Sequence, residues 1–115
     1  MDSHDCRRLV LDGRCVNEGN VEVESSAPCP ISYRAIVPPG EECANLLVPV
    51  CLSASHIAHG SIRMEPVFLV LGQSAATAAA AALALEAGCA VQEVPYPRLQ
   101  AALERDGQVL EWPPA

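Results

Sequence analysis

The chain has 115 residues, half of them hydrophobic, which is enough for one small folded domain and too apolar for a disordered segment. Aromatic residues are only 3 % of it, so a core must be built from alanine, valine and leucine. The formal charge is −7, which argues against nucleic-acid phosphate or an anionic membrane surface as the main partner.

Taken in chain order, Cys6–Leu11 alternates weakly and meets Asp12-Gly13, a hairpin turn signal, so Arg14–Val16 is the expected returning strand. Asn17–Asn20 (NEGN) reads as a second turn, and Val21–Glu24 as an edge strand with one wet face. Ser25–Pro30 is an expected loop carrying Pro28 and Pro30. Ile31–Val37 is an expected strand, closed by Pro38-Pro39-Gly40. Leu46–Val50 lacks alternation, which predicts a strand buried on both faces, as in a parallel sheet. A loop over Leu52–Met64 follows. The long helix is expected from Pro66, because proline is favoured at the first helical position, to Gly88, a good helix terminator. After an extended link over Ala90–Val94, Pro97–Arg105 predicts a second helix. It is amphipathic through Leu99, Ala102 and Leu103 and stopped by Asp106-Gly107.

Six cysteines stand at Cys6, Cys15, Cys29, Cys43, Cys51 and Cys89. No two form a CxxC pair, which argues against a zinc or dithiol redox motif. The stretch MDSHDCRR has no apolar run behind its charges and is not read as a signal peptide, so free thiols in a reducing cytoplasm are expected. Pro66–Leu85 carries no charge and is long enough to span a bilayer. It is mostly alanine, contains Gln73, Ser74 and Thr77, and is flanked by Glu65 and Glu86. A buried helix whose small residues let a sheet approach is therefore expected rather than a membrane span.

A strand, a loop and a helix N-terminus in succession make a site for an anionic or carbonyl-rich ligand. Glu65, before Pro66, is not a favoured capping residue, so the first-turn N–H groups face either water or a ligand carbonyl. His56 and His59 are three apart and suggest a metal pair, but no third ligand is evident. Ser53, Ser55 and Ser61 are nucleophiles in principle, yet no GxSxG elbow surrounds them, which argues against a hydrolase. Arg34 and Arg63 are open to two readings, solvated surface charge or anion binding.

The stretches PISYRAIVP and NLLVPVCLSASHIAHGSIRMEPVFLVLGQSAATAAA carry Ser-His, Gly-Ser-x-Arg and Gly-Gln-x-Ala in order. They resemble the C-terminal region of a bacterial family of FAD-dependent oxidoreductases that includes xanthan lyase-like members. The likeness runs from about Met1 to Leu110 and is densest from Tyr33 to Ala80. It implies an α/β fold: the C-terminal fragment of a Rossmann-like FAD-binding fold, with antiparallel strands, one buried strand, a long Ala-rich helix and a short C-terminal helix. Residues 1–44 would end a β-rich substrate domain, and 45–115 would complete the FAD-binding domain. The family's GxGxxG turn, which grips the FAD pyrophosphate, has no counterpart here, so the resemblance implies dependence on a missing N-terminal half.

The same resemblance implies site roles. Cys51, Ser53, Ser61, Arg63, Met64 and Glu65 would contact FAD, with Cys51 standing where an acidic ribose or ribityl contact is common. His56 and Arg34 would serve the chemistry of a small-molecule substrate. The Pro66 helix would point its N-terminus at the flavin pyrimidine carbonyl, with Arg63 beside it. The alternative left open is a non-catalytic remnant or interaction module.

Overall fold

The computed structural model describes residues 3–24, 27–85 and 88–111. Among them are a two-stranded antiparallel sheet, three α-helices and two short 3₁₀ turns, a mixed helix-and-strand chain. Two compact units form. One comprises Met1–Pro28 and Ala54–Met64, the other Cys29–Ser53 and Glu65–Ala115.

The first unit is a hairpin with one short helix. Strands β1 (Ser3–Leu11) and β2 (Arg14–Val23) pair antiparallel across Asp12-Gly13. Both turn residues have positive φ, 50° and 73°, the conformation a two-residue type I′ turn requires and the reason Asp-Gly stands there. The expected turn over Asn17–Asn20 is instead a bulge inside a continuous β2. Arg8 opposes Asn17 and Arg7 opposes Gly19, so Glu18 has no partner in the ladder. Gly19, at φ 156°, absorbs the irregularity without interrupting the strand. The loop expected over Ser25–Pro30 lies partly outside the described residues.

Helix α1 (His56–Ile62) packs against β1 and occupies part of the segment expected as a loop. Ser55 starts it: its hydroxyl accepts from the Ala58 N–H at 3.2 Å, satisfying one of the unpaired donors of the first turn. The Arg63 N–H closes it by donating to the His59 carbonyl at 3.0 Å.

The second unit holds the core. Where Ile31–Val37 was expected as a strand, Tyr33–Ile36 is a 3₁₀ turn. Ser32 explains the change, because its hydroxyl accepts from the Arg34 N–H at 3.3 Å and its carbonyl from the Ala35 N–H at 2.9 Å. Pro30 and Pro38 lack the donors that a ladder would need on either side. Ile36, 1 % exposed, anchors the turn.

Leu46–Val50 is not the expected doubly buried strand. Leu46 and Val50 are 44 % and 51 % exposed, and Pro49 removes a donor from the middle of the run. The segment wraps the 3₁₀ turn by two backbone bonds, from Val48 N–H to the Ile36 carbonyl at 2.8 Å and from Ser53 N–H to the Ala35 carbonyl at 2.7 Å. Buried Leu52 fixes it in place.

Helix α2 (Glu65–Leu83) begins one residue before Pro66 and ends short of Gly88, which has φ 65° in a separate turn closed onto the Leu85 carbonyl. It is not buried all round. Leu71, Ala75, Ala78 and Ala82 form one buried stripe at i, i+4, i+7, i+11, while Leu69 and Leu83 on other faces are 76 % and 83 % exposed. No described strand lies in this unit, and a Cβ added at Gly72 would meet nothing within 4 Å. By length and composition alone α2 could cross a membrane, the one described helix of which that is true. Its buried stripe is used within the chain, against α3 and the second 3₁₀ turn.

That second turn, Val91–Glu93, replaces the extended link expected there, and the Glu93 carboxylate holds it by accepting from the Ala90 N–H at 3.2 Å. Helix α3 (Tyr96–Arg105) matches its expected span to within a residue. It ends in a Schellman motif: Gln108 N–H returns to the Leu103 carbonyl, Gly107 N–H to the Glu104 carbonyl, and Gly107 takes φ 82°. Leu99 and Leu103 on α3 meet Ala78 and Ala82 on α2, with Val94 completing a cluster at most 5 % exposed. Alanine opposite leucine lets the two helices approach closely in a core that has few aromatic residues.

Candidate functional site

The residues singled out from sequence fall in both units. In the second unit, Arg34 projects from the first 3₁₀ turn and is exposed. The Ser53–Ala35 backbone bond brings Ser53 beside that turn, and exposed Cys51 lies two residues earlier. Glu65 opens α2 and is exposed; its carboxylate occupies the first turn, where the helix dipole favours negative charge.

In the first unit, His56 is the first residue of α1 and is exposed. Ser61 is half-buried near the end of the same helix, Arg63 is its exposed C-terminal cap, and Met64 is 47 % exposed. His56 and Ser61 are five residues apart on α1, so they project from different faces. Ser53 thus lies beside the turn that carries Arg34 in one unit, with Cys51 two residues before it, and in the other His56 and Ser61 lie on α1 with Arg63 and Met64 directly after it. Among the described residues no group of three His, Cys, Asp or Glu side chains could hold a metal ion.

Among the described residues, a titratable group with a resolved shift, Tyr33, lies directly beside Arg34. Burial pushes the Tyr33 phenol above its ordinary 10.0, and the charge of a Cys89 thiolate pushes it further the same way. Its hydroxyl donates to the Val91 carbonyl at 2.7 Å. The side-chain amide of Gln92 then donates to the carbonyls of Pro38 and Cys43, each at 2.8 Å, and Val91 N–H to that of Ala44 at 2.9 Å. These four bonds stiffen the backbone that carries Arg34. Sequence reasoning gave Gln92 no role and took Cys89 only as one of six thiols, because no local pattern marks partners about fifty residues away from Tyr33 and Cys43.

Chemically, the exposed set offers hydroxyl, guanidinium and imidazole groups, which bind carbonyls and anions. Five described cysteines, Cys15, Cys29, Cys43, Cys51 and Cys89, are free thiols. The Cys43 thiol is engaged with the Asn45 side-chain oxygen at 3.3 Å.

A family model described as FAD dependent oxidoreductase matches residues 1–103. No curated protein and no solved structure matches the chain.

Proposed function

The chain belongs to the FAD dependent oxidoreductase family, and from that premise we propose that it contributes the flavin-facing loop and helix N-terminus of such an enzyme, acting together with a dinucleotide-binding half. The family match over residues 1–103 carries the reading. The family's cofactor is FAD.

The glycines test how much of FAD these residues fit. A pyrophosphate-gripping turn needs clustered glycines whose missing Cβ atoms let backbone approach closely. The seven glycines, at 13, 19, 40, 60, 72, 88 and 107, form no GxGxxG run, so these residues do not supply the pyrophosphate-gripping turn. The residues expected to contact the flavin, Cys51, Ser53, Ser61, Arg63, Met64 and Glu65, are exposed or half-buried, which supports a role in ligand contact.

FAD supplies hydride transfer and gathers negative charge near N1 and O2 when reduced. In this reading the Arg63 guanidinium and the α2 N-terminus would favour that charge and the Glu65 carboxylate would oppose it. Ser53, Ser61 and Met64 would line the ring, and Cys51 would take a ribityl contact that an acidic residue makes better. Arg34 suits a substrate carboxylate, held from a stiffened turn, and His56 would hydrogen-bond flavin or substrate. In the same reading, residues 1–44 end a β-rich substrate domain and 45–115 complete a Rossmann-like FAD-binding domain. The nearer kinship to bacterial, xanthan lyase-like members and the cytoplasmic setting rest on the sequence patterns already given.

Titration with FAD, followed by flavin fluorescence, tests the proposal. The isolated chain is expected to purify colourless and bind FAD weakly, whereas fusion to a GxGxxG-bearing half of the same family gives a stoichiometric flavoprotein. A yellow isolated chain with one bound flavin would overturn the dependence on a second half. Absence of flavin from the fused protein would overturn the flavin-facing role.

A further inference from the structure

We draw no further inference here: the strongest candidate, the outward stripe of α2 running through Leu69, Gln73, Ala76, Ala80 and Leu83, is an exposed uncharged face, and nothing in the structure shows what covers it.

Discussion

The Tyr33 hydroxyl reaches the carbonyl of Val91, 58 residues away, at 2.7 Å, and so joins the two 3₁₀ turns of the second unit. Tyr33→Phe keeps the ring and removes the bond, leaving a carbonyl on a residue only 5 % exposed without its phenol partner. The expected loss is about 1 to 3 kcal/mol, read as a lower denaturation midpoint. A pH dependence accompanies it. The phenol's pKa is raised in the folded chain, so the stabilisation is whole below about pH 10 and declines as pH rises through the folded value. Wild type is expected to lose stability more steeply than Tyr33→Phe above that pH. Parallel curves for the two proteins would show that Tyr33 does not titrate with folding.

Gly72 lies inside α2 with open space where a Cβ would stand. Gly72→Ala is expected to stabilise the isolated chain by roughly 0.5 to 1 kcal/mol, through helix propensity and a less flexible unfolded state. Thermal melts followed at 222 nm measure it. A loss of stability would reveal a close neighbour of Gly72.

Leu99 is 1 % exposed and sits at the centre of the α2–α3 cluster. Leu99→Ala is expected to cost about 2 to 5 kcal/mol, a large share of the stability of a domain this small. Urea titration should show a sharply lowered midpoint or a chain already unfolded without denaturant. Leu99→Met, which conserves volume, should cost less than about 1.5 kcal/mol.

Arg63 and Glu65 carry opposite charges on either side of Met64. In the flavin-loaded fusion, Arg63→Ala is expected to lower the two-electron potential by roughly 30 to 65 mV, the equivalent of one charge-assisted hydrogen bond. Glu65→Gln is expected to raise it. Redox titration distinguishes this from a solvated pair, for which neither substitution moves the potential while flavin stays bound.

What the sequence disclosed depended on how local the signal was. The Asp12-Gly13 turn and the Gly107 stop of α3 are fixed by the conformation of one or two residues, and both stand where expected. Pro66 marked the start of α2 to within one residue. Ile31–Val37 and Leu46–Val50 misled because β-branched and apolar runs record burial or stiffness rather than a partner strand. Ser32 and Pro49 then decided the backbone against a ladder. The start of α1 was written in Ser55, whose capping role went unread among serines weighed as nucleophiles. Of the candidate site, the residue types were legible. The bond from Ser53 to Ala35 beside Arg34 was not, because a backbone contact across about twenty residues leaves no mark on spacing.

The unpaired Glu18 shifts the phase of β2. Val16 opposes Leu9 and Val23 opposes Ser3, partners an even six positions apart on β1, so the register keeps Val16 and Val23 in the same phase of the ladder. They are seven positions apart, an odd interval that simple alternation would place on opposite faces. One residue thus works as a parity switch for the ribbon. A chain of the same composition, shortened by that single position, would turn the far end of β2 inside out while leaving its tip unaltered.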